Sequence, residues 1–218
     1  MKYFFNLNRF SEDLDFTFTG QNETSGRKCP NEKMDIVLNH LSAPYQIVER
    51  ERRASETGNI TVDIIYELRI QVPLNQMPGQ LQNIKIDVSL RNVIIHKPGL
   101  KHLSPIYLDI TALSLPVMTV EEMLVEKIVT TIERTKMRDI YDIYYLLAIK
   151  NPKYDEKSVK EKMLRRGEVF AKTDIAGRLD EACSKMKWKS EPAYIVNPLP
   201  DNMEVVSKLE EALELRDN

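Results

Sequence analysis

The stretch RFSEDLDFTF, residues 9–18, sets Glu12, Asp13 and Asp15 among largely apolar neighbours and has the period of a strand. An extended chain sends successive side chains to opposite faces, so Asp13 and Asp15 share one face while Leu14 and Phe16 share the other. Two carboxylates on one face repel unless a positive group stands between them. A hard cation such as Mg²⁺, which prefers oxygen ligands and commonly takes a carboxylate or two plus substrate phosphates, meets that need. The simpler alternative is an edge strand with its polar face in water; it is weakened because Asp is depleted in strands.

A second stretch, NIKIDVSL (83–90), repeats the pattern, with Ile84, Ile86 and Val88 on one face and Lys85, Asp87 and Ser89 on the other. If it lies beside residues 13–16, Asp87 becomes a third carboxylate on the same face. Three acids on adjacent strands are the arrangement used in two-metal phosphoryl and nucleotidyl transfer. Asp63 and Asp109 compete for that third position from neighbouring strands.

Working outward, alternation also predicts strands in PYQIVERERR (44–53), NITVDIIYELRIQV (59–72) and IYLDITALSL (106–115), with a short helix in NEKMDIVLNHL (31–41). Turn chemistry falls at residues 57–59, 77–79 and 97–99. After Pro116 the period becomes helical: Thr119 and Glu122 make a capping box for a helix over 119–134, and the nearly all-apolar RDIYDIYYLLAI (138–149) reads as a buried helix. Two or three further helices are expected between Asp155 and Lys187, and a last amphipathic one over 203–215. The expected class is α+β, with a mixed or antiparallel sheet in residues 1–117 and a helical domain in 118–218.

Composition fits this. The chain has 218 residues, of which 42% are hydrophobic, and a formal net charge of −2, which argues against a dedicated histone-like nucleic-acid binder but permits a local basic patch. Cys29 and Cys183 imply neither a disulfide framework nor a zinc site, and no apolar run reaches membrane-spanning length, so a cytoplasmic location is expected.

The helical half carries a second constellation. Lys127 falls at the edge of the apolar face formed by Val120, Met123 and Leu124. Such a lysine either has an anionic partner, for which a triphosphate would serve, or snorkels to water. Asp139 and Asp142 share a helical face with Leu146; Asp139 also suits the first turn of a helix, where the dipole favours an anion. The basic clusters KMLRR (162–166) and KMKWK (185–189) could touch RNA, with Trp188 stacking on a base, although solvated helix faces explain such clusters more often. His40, His96 and His102 show no ligand spacing.

In order along the chain, RFSEDLDF (9–16), IKIDVS (84–89) and EEMLVEKIVTTIERTKMRDIYDIYYLL (121–147) resemble the AbiEii nucleotidyltransferase toxin family, which pairs a DNA polymerase β-like palm with a helical domain. The resemblance implies that Asp13 and Asp15, with Asp87 as third carboxylate, bind catalytic Mg²⁺. It implies that Lys127 contacts nucleotide phosphates, that Asp139 with Arg138 and Asp142 completes the site, and that Ser11 lines the phosphate pocket. The implied reaction moves a nucleotide from an NTP to an acceptor, with tRNA ends the acceptor class and an antitoxin as partner. The family's Gly-Gly or Gly-Ser turn, about a dozen residues before the carboxylate pair, would fall before Met1. That departure leads us to expect weaker nucleotide binding, and an apolar surface that a homodimer would cover. It also keeps open an alternative, a truncated or inactive relative acting as an interaction or RNA-binding protein.

Overall fold

The computed structural model describes residues 7, 13–19, 38, 46–57, 60–71, 81–90, 93–104, 111–134, 136–182, 188 and 196–215. By compactness the chain forms two units, Ser11–Val93 and a second made of Met1–Phe10 with Ile94–Asn218. These divisions fall at different points from the change of period near residue 117. The expected helix over 31–41 lies outside the described residues except at Leu38, which is helical and buried.

The first unit is a mixed sheet of β1 (Asp13–Thr17), β2 (Gln46–Thr57), β3 (Ile60–Gln71) and β4 (Leu81–Ser89) in the order β1-β4-β3-β2. β1 runs parallel to β4; the other pairs are antiparallel. Alternation decides which face is apolar: Ile64, Tyr66, Leu68 and Ile70 of β3 and Ile86 and Val88 of β4 are buried together with Leu38. In register, Tyr66 faces Ile86 and Ile64 faces Val88, so this apolar layer is continuous across the two central strands. Leu14 and Phe16 continue the same row on β1, but at the sheet edge they remain 42% and 47% exposed. The other edge, β2, exposes the charged run Arg50, Glu51, Arg52 and Arg53, with Arg53 bonded to Glu51 at 2.9 Å; such edges discourage pairing with another chain.

The second unit begins with a hairpin, β5 (Gly99–Leu103) against β6 (Leu113–Val117). β5 corrects the sequence reading, which placed a turn at 97–99 and its next strand only at 106–115. Of the strand expected over 106–115, the part at 106–110 lies outside the described residues. The helices are α1 (Val120–Glu133), α2 (Met137–Tyr145), α3 (Glu156–Arg165), α4 (Lys172–Ala182) and α5 (Asn202–Ala212). A π turn, Leu146–Lys150, extends α2 and ends at Asn151, whose left-handed backbone (φ 49°) closes the helix with a bond from its amide to the Leu146 carbonyl. Ile128, Ile140, Ile143, Leu146, Val159, Val205 and Leu209 form the center of the core.

Thr119 caps α1 by accepting a 3.2 Å bond from the Glu122 amide. The Glu122 side chain departs from the capping-box expectation. Instead of reaching back to Thr119, it is fully buried and binds Lys162 Nζ at 2.6 Å, while accepting the amides of Ile95 at 3.1 Å and His96 at 2.8 Å. Lys162, also fully buried, binds Glu126 at 2.6 Å as well, and Arg166 joins Glu126 at 2.8 Å and Glu133 at 2.6 Å. The ladder ties α1 to α3 and to the segment before β5. Burial pushes the Glu122 carboxyl up, but Lys162 and the His96 amide outweigh it and hold it below its usual value; Lys162 and Arg166 do the same for Glu126.

Replacing Lys162 by Met would strand a buried carboxylate, so we expect a loss of about 3–5 kcal/mol in urea unfolding followed by the fluorescence of the single tryptophan. A loss under about 1 kcal/mol would show the pair to behave like a surface ion pair. Glu122 and Glu126 titrate lower in the folded chain than in the unfolded one. Their contribution is therefore complete above the usual glutamate value of 4.5 and is lost as pH falls below it. Urea midpoints should fall steadily below that pH, and less steeply in Glu122→Gln.

Candidate functional site

The parallel pairing of β1 with β4 decides the carboxylate face. Asp13 is opposite Lys85 and Asp15 is opposite Asp87, so all four side chains stand on the polar side of the sheet, away from Tyr66 and Ile86. The third acid expected from sequence is thus a direct neighbour of Asp15. β1 is also an edge strand, as the simpler reading had it. Asp63 of β3 lies in register with Ser89, on the same side but two residues farther along; Asp109 lies outside the described residues.

Lys85 stands among these acids, with Nζ 2.7 Å from Asp87 Oδ2 and 4.0 Å from Asp13 Oδ2. The hydrogen bond to Asp87 raises its pKa, against the opposing effect of burial and with help from the charges of Asp87, Asp13 and Asp15. Asp87 Oδ1 and Ser89 Oγ are buried atoms that find no hydrogen-bond partner among the described residues. Oxygen donors on one face, two of them lacking a partner among the described residues, suit a hard cation in chemistry. As the side chains stand, no three His, Cys, Asp or Glu residues are gathered into a metal cage among the described residues.

The helical unit holds the second constellation. Lys127, on α1, reaches Asp139 Oδ1 and Asp142 Oδ2 on α2, both at 2.7 Å. The two carboxylates are buried, whereas the lysine side chain keeps 20% exposure. Lys127 therefore neither snorkels nor waits unpaired: α2 supplies its anions. Burial alone would push the Lys127 ammonium down; the charges of Asp142 and Asp139 outweigh that and hold it above the usual lysine range. Asp139 does lie in the first turn of α2, and Arg134 Nε approaches it at 3.4 Å. Arg138 is half-buried in the same turn, and Ser11 lies outside the described residues.

The basic clusters, read as solvated helix faces with RNA contact as the lesser alternative, behave differently where they are described. Trp188 is buried and donates its Nε1 hydrogen to the Pro200 carbonyl at 2.9 Å, so its ring is not offered to a base. In KMLRR, Lys162 and Arg166 are spent on Glu122, Glu126 and Glu133, and Arg165 pairs with Glu161. Sequence reasoning missed the role of Lys162. Its signal was the spacing of Ser158, Val159, Lys162 and Met163, which puts it on the apolar stripe of α3.

Among the described residues no helix is long and apolar enough to cross a membrane. No curated protein matches the chain. Its fold is similar to that of MenT4, a nucleotidyltransferase toxin of Mycobacterium tuberculosis, with a TM-score of 0.50 at 14% identity over 96% of this chain and 69% of MenT4. The family model described as nucleotidyl transferase AbiEii toxin, of a type IV toxin–antitoxin system, matches residues 1–214. With a mixed sheet, a helical unit and a match to the family model over nearly its whole length, the chain belongs to the AbiEii nucleotidyltransferase toxin family.

Proposed function

We propose that the chain transfers a nucleotide from an NTP to an acceptor, with tRNA ends the acceptor class, and does so as a cytoplasmic toxin held in check by an antitoxin. The observation that carries this reading is the register that puts Asp15 beside Asp87 with Asp13 on the same face. In the reaction an acceptor hydroxyl oxygen attacks the α-phosphorus, the bond from that phosphorus to the bridging oxygen breaks, and pyrophosphate leaves. The hydroxyl proton passes to a base or to water.

Asp13, Asp15 and Asp87 would hold Mg²⁺, which when bound supplies Lewis-acid stabilisation of the attacking and leaving oxygens. Asp87 brings an oxygen with no other partner among the described residues, and Ser89 an adjacent hydroxyl. Lys127 is the cation proposed for nucleotide phosphates, with Asp139 and Asp142 as positioning residues that fix its ammonium. Arg138 and Ser11 complete the proposed nucleotide contacts. The burial of Trp188 and Lys162 takes these two side chains out of the support that the basic clusters gave to a purely RNA-binding protein.

Calorimetric titration with each NTP in the presence of Mg²⁺ should show binding by the wild-type chain that disappears without Mg²⁺ and in Asp15→Asn. Binding that is indifferent to both would contradict the carboxylate assignment.

A further inference from the structure

Resting on the proposed metal reading of the carboxylate face, we propose that Lys85 is its resident counter-ion, an ammonium that a divalent cation displaces when it binds. Lys85 is in register with Asp13, and Asp15 and Asp87 form the next pair on the same face, so the four make a square of three anions and one cation. Its ammonium touches Asp87 at 2.7 Å and lies 4.0 Å from Asp13. On the far side of β4, β3 places Glu67 opposite Lys85 and Ile65 opposite Asp87, neither of them a cation.

Comparison with the other lysines shows why this one can yield. Lys162 is fully buried between two glutamates, and Lys127 is 20% exposed against carboxylates that are buried. Those ammonium groups cannot leave without stranding charge in the core. The Lys85 side chain is 36% exposed, and Asp13 and Asp87 keep 29% and 31%. Its flexible stem can swing the charge into water at little cost once another cation neutralises the acids. A tethered cation also lets the acidic face fold before any metal arrives. It therefore sets how much metal is needed to occupy the site, because the metal has to win a competition.

The probe is Mn²⁺ alone, titrated into the full chain at fixed ionic strength and followed by the electron paramagnetic resonance of free Mn²⁺. Thermal unfolding without metal confirms that each variant is folded. Lys85→Met should bind Mn²⁺ roughly three- to tenfold more tightly than wild type, as expected for removing a competing charge at this range. Lys85→Arg should restore the wild-type affinity, and Asp15→Asn should lose the site. Lys85→Gln serves as the neutral variant if Lys85→Met does not fold. Equal or weaker binding by the neutral variants, with Asp15→Asn still losing the site, would overturn the counter-ion role and leave the metal reading standing. Absence of Mn²⁺ binding by wild type and neutral variants alike would overturn both.

Discussion

The parallel alignment of a five-residue edge strand with β4 is the constraint on which the candidate site depends. A slip of one residue would turn Asp13 and Asp15 toward the apolar layer and Leu14 and Phe16 away from it. Slippage is opposed by the alternation on β4, whose Ile86 and Val88 are buried against Tyr66 and Ile64. The chemistry of the polar face is thus specified by the packing of the opposite one.

The helical unit solves a different problem, that of keeping charge inside a core. α1 carries two ion clusters: Glu122 and Glu126 meet Lys162, while Lys127 meets Asp139 and Asp142. Buried ions of this kind add little net stability over apolar residues of the same size, but losing one partner is costly. They therefore fix which helix face meets which. The Lys162 cluster joins α1 to α3 and the Lys127 cluster joins α1 to α2. Only the latter keeps part of its cation accessible, which suits a group proposed to meet substrate.

Local periodicity was legible where one face of an element is buried and the other is not. β3, β4 and α1 follow their predicted spans closely, and Thr119 caps α1 as its position suggests. β5 was not legible, because GLKHL lacks alternation and, among the described residues, pairs only with the β6 hairpin arm. The presence of acids on two strands could be read from the sequence, but their adjacency could not, since strand order is a non-local property. Lys162 and Trp188 were misread for one reason: a lysine in a basic run and a lone tryptophan both look like surface chemistry until the groups that bury them, Glu122 and the Pro200 carbonyl, are located in space.

The most direct test follows the fate of the phosphorus atoms. NTPs labelled at the α- or the γ-phosphate would be incubated with the chain, Mg²⁺ and total tRNA. Nucleotidyl transfer at the Asp13, Asp15 and Asp87 face predicts that RNA gains the α-label and none of the γ-label, and that Asp15→Asn abolishes the gain. Transfer of the γ-label, or undiminished α-labelling by Asp15→Asn, would contradict it.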